Sequence, residues 1–156
     1  MTEDAKFEEG GEAPLNLGAL DTEDLKVISA LTQDAVFSAA DMSWTPAQRR
    51  FAILLNRFRW EDRGSERHGP ERVRSLLVAD DVLGVASQRV PHRDADTILS
   101  LLSVAFEPGT DCTGNLLLTL AGDGAIRLEV EALGVTLKDV TRPYRAPSGK
   151  APAHRE

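Results

Sequence analysis

The chain has 156 residues and a formal net charge of −7, and 42% of its residues are hydrophobic and 28% charged. These values are typical of one globular domain, and the negative charge disfavours general binding to nucleic acid or anionic membranes, which needs positive charge. The single cysteine, Cys112, excludes an intramolecular disulfide and favours a reducing cytoplasm. The acidic N-terminus lacks the apolar segment of a secretory signal, and no apolar run reaches the roughly 20 residues that span a bilayer.

The composition divides the chain into one domain and two tails. Residues 1–13 carry five acidic side chains and few apolar ones, which predicts a disordered acidic tail. Residues 14–141 are predicted to form a single domain. Residues 142–156 contain three prolines and are predicted to form a disordered C-terminal tail.

The domain is predicted to begin with a short strand near Leu15 and one helix over residues 22–35. Asp21 is a good N-cap residue, and the acidic side chains of the first helical turn suit the positive end of the helix dipole. Leu25, Ile28 and Leu31 recur at helical spacing and form one apolar stripe. We therefore expect this helix to cover part of a sheet.

The next segments alternate with a period of two and are bounded by turn residues, which predicts strands. In residues 50–60 the apolar parity slips by one near Asn56. We interpret the slip as a β-bulge that turns Arg57 or Arg59 toward water; the alternative is a strand buried on both faces. The predicted strands cover residues 35–44, 50–60, 72–79, 82–90 and 98–106. Residues 134–140 are predicted to form a short strand, with a helical turn as the alternative.

The sharpest structural signal is a predicted β-hairpin over residues 115–132. Each arm places three apolar side chains on one face, and Gly122, Asp123 and Gly124 lie between the arms. A three-residue loop with Gly124 at the left-handed position pairs Leu120 with Ile126 and puts all the apolar side chains on the same face. The six side chains are Leu116, Leu118, Leu120, Ile126, Leu128 and Val130.

Together these elements predict an α+β fold that is mainly antiparallel. About seven or eight strands form a curled sheet or a barrel-like, PH-like roll, with one N-terminal helix. An exposed edge strand of such a sheet could make the protein a homodimer.

Four stretches resemble an uncharacterised bacterial family, domain of unknown function 2948, which is known mainly from alphaproteobacteria. They are LDTEDLKVISALTQDAV (20–36), RRFAILLNRFRWE (49–61), ILSLLSVAFEPG (98–109) and GDGAIRLEVEALGVTLKD (122–139). The family carries a three-glycine turn, of which Asp123 here replaces the middle residue. The resemblance implies a small cytoplasmic protein and carries over no catalytic residue.

The sequence contains no catalytic motif and no set of residues at metal-ligand spacing, so no catalytic residue, metal or cofactor is predicted. The three histidines lie far apart in the sequence, and Cys112 is alone on a predicted loop. One feature carries a functional hypothesis. Eight arginines between residues 49 and 74 interleave with aromatic side chains and could hold an anionic ligand or an acidic partner. The predicted arginine cluster consists of Arg57, Arg59, Arg72, Arg74 and Trp60; the simpler interpretation is a solvated sheet face with local ion pairs.

The favoured prediction is a small, cytoplasmic, non-catalytic binding or adaptor domain whose partner is a protein or a small anionic ligand. One alternative is an enzyme of unrecognised type with a site between loops 61–71 and 91–97. A second is weak RNA binding, in which Phe58 and Trp60 would stack on bases, although the net charge argues against it. The acidic residues 1–12 could also fold back onto the arginine cluster and screen it.

Overall fold

The computed structural model describes residues 14–61, 71–90 and 94–145. These residues contain eleven strands and one α-helix, joined by loops and two short 3₁₀ turns. The helix is α1 (Thr22–Leu31). The strands are β1 (Asn16–Ala19), β2 (Val36–Ser38), β3 (Met42–Thr45), β4 (Arg50–Phe58), β5 (Glu71–Ala79), β6 (Val82–Gln88), β7 (Ile98–Pro108), β8 (Gly114–Leu120), β9 (Ala125–Val130), β10 (Val135–Asp139) and β11 (Tyr144–Arg145).

All strand pairs among these residues are antiparallel, and they form one sheet that does not close on itself. The strand order is β1-β10-β5-β4-β2-β7-β8-β9-β6, with β3 added to β4 and β11 added to β5. The α+β class with mainly antiparallel strands and one helix is thereby confirmed. Within the described residues, β1, β3 and β6 each have one strand neighbour, and the predicted dimer through a sheet edge stays a prediction.

The sheet curls so that its two halves share one core. Phe51 and Leu77, from β4 and β5, line the same small internal space as Leu118 and Leu128, from β8 and β9. The helix adds Leu25 and Ile28 to this core, as its apolar stripe predicts. Burying such side chains stabilises the fold by about 1.5–3 kcal/mol each before chain entropy is subtracted.

Helix α1 begins where the sequence predicts and ends four residues early. The amide of Asp24 donates to Oδ1 of the N-cap residue Asp21 over 2.8 Å. After Leu31 the chain turns, and Asp34 adopts a positive φ of 64°. The amide of Asp34 then donates to the carbonyl of Leu101, and the Leu101 amide donates to Ala35, so pairing with β7 ends the helix.

The predicted strand over residues 35–44 is wrong in its middle, because Ala39–Asp41 form a short 3₁₀ turn between β2 and β3. Asp41 Oδ2 accepts from the amide of Ser38 over 2.9 Å and fixes the turn. This interruption lets β2 bridge β4 and β7, while β3 pairs with β4 alone. Strand β2 thus joins the two halves of the sheet.

The predicted β-bulge near Asn56 is also wrong. Strands β4 and β5 pair without interruption from Phe51 opposite Ala79 to Phe58 opposite Arg72. Both Arg57 and Arg59 are buried, so the bulge is not needed to bring either of them to water. The slip in apolar parity marks the place where a buried arginine replaces an apolar core residue.

The hairpin β8–β9 buries all six predicted apolar side chains, each at most 3% exposed. The pairing is shifted by two residues from the prediction, so that Leu118 lies opposite Ile126 and Leu116 opposite Leu128. A shift of two residues keeps every side chain on its face. The turn explains the shift, because positive φ occurs at Gly122 (80°) and Asp123 (67°) and not at Gly124, where the sequence predicts it.

Replacing Gly122 with valine is expected to lower the free energy of unfolding by about 1–3 kcal/mol, because a β-branched residue is strained at positive φ. Thermal melts of the two proteins test this. Gly18→Val in β1 is the matched control, since no atom lies within 4 Å of the added Cβ and the φ is not positive. Equal melting temperatures for Gly122→Val and the unaltered chain would show that the turn is assigned wrongly.

Tyr144 and Arg145 lie in the segment that the sequence predicts to be a disordered tail, yet they pair with Arg72 and Glu71 of β5. The rest of that tail and the acidic residues 1–13 lie outside the described residues. Helix α1, with ten residues, is the longest helix in the described ranges, and none there has the length and apolar character to cross a membrane.

Candidate binding surface

The two faces of the β4–β5 ribbon divide the predicted arginine cluster. Cross-strand partners share a face, and side chains alternate between faces along a strand. Arg57 lies on the inner face with Val73 and Ser75, whereas Arg72 and Arg74 lie on the outer face. The predicted cluster is therefore not one group: Arg57 belongs to the interior of the protein, and Arg72 and Arg74 belong to its surface.

Arg57 is fully buried and uses all five of its N–H donors within the protein. Nε donates to Ser75 Oγ over 2.9 Å, and Nη1 donates to the Phe58 carbonyl over 3.1 Å and to Glu61 Oε1 over 2.9 Å. Nη2 donates to Glu61 Oε2 over 2.9 Å and to Asp139 Oδ1 over 3.0 Å. An arginine has five donors, so none remains for a ligand.

Asp139 completes this internal network. Its Oδ1 also accepts from Ser75 Oγ over 2.7 Å, and its Oδ2 accepts from the Leu15 amide over 2.9 Å. Burial alone would lower the pKa of Arg57, and the hydrogen bonds and charges of Glu61 and Asp139 raise it above its ordinary value. Arg57 is a structural cation that ties β4, β5, β10 and the start of β1 together.

Arg59 is also part of the internal structure. Its side chain is buried, Nη1 pairs with the carboxylate of Glu71, and Nε lies 4.0 Å from Glu61 Oε2. Its backbone amide donates to the Glu71 carbonyl over 3.0 Å, which holds the end of β4 against the start of β5. The prediction that Arg57 or Arg59 turns toward water is wrong for both residues.

The outer face of the ribbon begins with a stack of aromatic and guanidinium groups. The guanidinium of Arg72 lies over the Phe58 ring at 3.8 Å from its centroid. The rings of Phe58 and Trp60 are 5.7 Å apart and tilted by 46°. Trp60 Nε1 donates to the Gln33 carbonyl over 3.0 Å, yet 40% of the residue stays exposed. The indole is therefore anchored and partly open to a partner.

Polar side chains orient Arg72 from the neighbouring strands. Its Nη1 donates to Asn56 Oδ1 over 3.2 Å, and Asn56 Nδ2 donates to the Tyr144 hydroxyl over 2.7 Å. Burial lowers the pKa of Arg72, an effect that Tyr144 partly opposes. Tyr144 remains 38% exposed at the edge of the group.

Next to this group, the outer face carries an apolar row. Leu54 lies opposite Leu76, and Ala52 lies opposite Val78, all of them half-buried. The strand pairing places the exposed Lys138 of β10 beside Leu76, on the same face. Arg74 lies opposite Asn56, and its Nε is buried without a hydrogen-bond partner. We name this surface the outer patch; it lies over the buried Phe58 and consists of Ala52, Leu54, Asn56, Trp60, Arg72, Arg74, Leu76, Val78, Lys138 and Tyr144.

The cations of the outer patch differ from the buried arginines in their ion pairs. Within the part of the chain that the structure describes, Arg72, Arg74 and Lys138 form no ion pair, whereas the buried Arg57 and Arg59 both do. These three positive charges, which have no ion-pair partner among the described residues, lie beside an apolar row in a chain whose net charge is −7. These cations can bind carboxylates by donating charge-assisted hydrogen bonds to them.

The described residues also form a groove that borders the outer patch and a concave region away from it. One, of about 720 Å³, is a groove beside the end of β10, and Pro14, Glu71, Asp139, Val140, Thr141, Arg142 and Pro143 line it. The other, of about 440 Å³, lies between β3 and β6, and the described residues that line it, among them Met42, Trp44 and Val85, carry no titratable side chain. Within the described ranges, no three metal-ligating side chains come together.

The alternative enzyme site between loops 61–71 and 91–97 falls mostly on residues 62–70 and 91–93, which lie outside the described residues. It stays a prediction, as does weak RNA binding. Cys112 is exposed on the loop between β7 and β8.

A family model described as a protein of unknown function (DUF2948) matches residues 15–154. The chain belongs to the DUF2948 family. The resemblance in the four stretches is thereby confirmed, and the outer patch lies within the matched range. The comparisons with curated proteins and with solved structures each gave no match.

The apolar row was not predicted as part of a site, and neither were three polar members of the outer patch, namely Asn56, Lys138 and Tyr144. Arg72 and Arg74 have the same parity in their strand, so their common face could be foreseen. Lys138 joins them only through the pairing of β10 with β5, two strands separated by more than fifty residues. Tyr144 lies in the segment predicted to be a tail, so no sequence signal pointed to it.

Proposed function

We propose that this DUF2948 chain is a non-catalytic binding domain whose outer patch docks a protein segment that carries carboxylates next to apolar side chains. The single observation that carries the proposal is a set of cations, Arg72, Arg74 and Lys138, that form no ion pair with any described residue and lie beside the apolar row of Leu54 and Leu76. The exposed Cys112 supports a reducing compartment, the cytoplasm.

The residue types of the outer patch support a protein partner over a small anion. Arg, Trp and Tyr dominate the binding energy of protein interfaces, and each occurs here with part of its surface open. Apolar side chains at the centre with charged ones around them match the usual core and rim of an interface. A small anion would use the guanidinium groups and leave the apolar row exposed.

Replacing Lys138 with glutamate is expected to reduce retention of the partner by at least ~10-fold, since a hydrogen bond to a charged group contributes about 1.5–3 kcal/mol. Arg74→Glu is expected to act in the same direction. The full chain and each variant are immobilised, and proteins captured from lysate of the expressing cells are compared. The affinity of the unaltered chain for a captured protein is then measured at increasing salt concentration. This affinity should fall, because salt screens exposed charges.

The matched control is Arg127→Glu, which makes the same change of charge at an exposed position of β9, away from the outer patch. This variant should retain the partner. Recovery of the same proteins by the unaltered chain, Lys138→Glu and Arg74→Glu would remove the outer patch as a binding surface.

A further inference from the structure

We infer that residues 1–13 of the same chain bind the outer patch and compete there with the external partner. This inference rests on the proposed function and assigns the regulation of the same surface. The segment MTEDAKFEEGGEA carries five acidic side chains, one lysine and one phenylalanine, a net charge of −4. It thus offers carboxylates to three cations that find none among the described residues.

The chain enters the described structure beside the outer patch. Strand β1 lies beside β10, and Asn16 pairs with Lys138. Since cross-strand partners share a face, the side chain of Asn16 lies on the same face of the sheet as the outer patch. Pro14 lines the same groove as Thr141, and Thr141 Oγ1 accepts from the amide of Arg74 over 3.0 Å. Pro14, where the described structure begins, therefore lies next to the patch.

The length of the segment suffices to cover the surface. From β1 across β10 and β5 to β4 there are three strand spacings of about 4.8 Å each, or roughly 14 Å. Thirteen extended residues span up to ~43 Å, so the acidic residues can reach Arg72 as well as Lys138. The other terminal segment, residues 146–156, follows β11 but contains Lys150 and Arg155 against Glu156, a charge that disfavours the same surface.

Attachment favours the internal segment over a free competitor. Binding of a linked segment is intramolecular, with an effective concentration of order millimolar for a short flexible connection. An external acidic segment of similar chemistry must therefore displace it. Replacing Glu8, Glu9 and Glu12 with glutamine is expected to raise the affinity for the external partner by ~5-fold or more.

The location of the segment is tested without any partner. The full chain receives Ala5→Cys and Cys112→Ser, a nitroxide label is attached at position 5, and amide signals are compared before and after reduction of the label. Selective broadening at Arg72, Arg74 and Lys138, with none at Arg127 on β9, is the expected result. It should vanish at 1 M salt, where the Debye length is about 3 Å.

A second variant guards against perturbation of the fold. Arg74→Gln with Lys138→Gln, in the same labelled chain, should remove the broadening while other amide shifts stay in place. Absence of broadening on the outer patch, or equal broadening at Arg127, would overturn the inference. Broadening that appears only when a labelled chain is mixed with an isotopically enriched, unlabelled chain would assign the surface to a second copy and overturn it as well.

The two proposals can fail separately. If the label broadens the outer patch but Lys138→Glu leaves partner retention unchanged, the segment binds there and the proposed function is wrong. If Lys138→Glu abolishes retention and the label leaves the patch untouched, the binding function stands and the internal competitor is excluded.

Discussion

Replacing Asp139 with alanine is expected to lower the free energy of unfolding by about 3–5 kcal/mol, the cost of breaking a buried ion pair by removing one partner. The change leaves Arg57 fully buried with one carboxylate fewer. It also removes the acceptor of the Ser75 hydroxyl and of the Leu15 amide. Urea denaturation followed by circular dichroism measures the loss.

The double variant Arg57→Leu/Asp139→Leu provides the control for this effect. Replacing a buried ion pair by apolar side chains of similar volume is often neutral or stabilising, because both charges leave the interior together. Glu61 is part-exposed and can turn to water when Arg57 is absent. We expect the double variant to be more stable than Asp139→Ala; a loss equal to the sum of the single losses would show that the charges are not coupled.

Replacing Leu118 with aspartate is expected to prevent folding. Leu118 is 3% exposed, lies opposite Ile126 and faces Phe51 and Leu77 from the other half of the sheet. A carboxylate there has no cation near it, and an unpaired buried charge costs more than the few kcal/mol of stability that a domain has.

Thr119→Asp is the matched control for Leu118→Asp, because Thr119 is the next residue in β8 and its side chain is exposed. This variant should fold and melt cooperatively. Gel filtration and circular dichroism of both proteins test the pair. A soluble Leu118→Asp protein with a cooperative melt would mean that this face of β8 is not in the core.

The hairpin illustrates how far local patterns determine a fold. The period of two determined the face of every side chain in β8 and β9, because a slip by one residue would move all the apolar side chains into solvent. The register depended on backbone angles in the turn, and Asp123 adopts the left-handed conformation that the prediction assigned to Gly124. An aspartate can take positive φ at modest cost, so composition alone does not locate the turn.

The arginines illustrate what local patterns miss. Arg57 and Arg59 look like solvated residues of a strand, because a buried arginine is rare unless its charge is paired. Their partners make burial possible, and Asp139 lies 82 residues away from Arg57 in the sequence. Asp139 reaches it only through the pairing of β10 with β5. The outer patch likewise combines strands whose adjacency follows from the sheet order and not from any short motif.

The measurement that tests the division of the arginines most directly compares Arg57→Gln with Arg74→Gln in urea denaturation. The two substitutions are chemically identical, and the residues lie on paired strands but on opposite faces. We predict a loss of about 3 kcal/mol or more for Arg57→Gln and less than about 0.5 kcal/mol for Arg74→Gln, as for a surface position. Equal losses would contradict the assignment of Arg57 to the structure and of Arg74 to the binding surface.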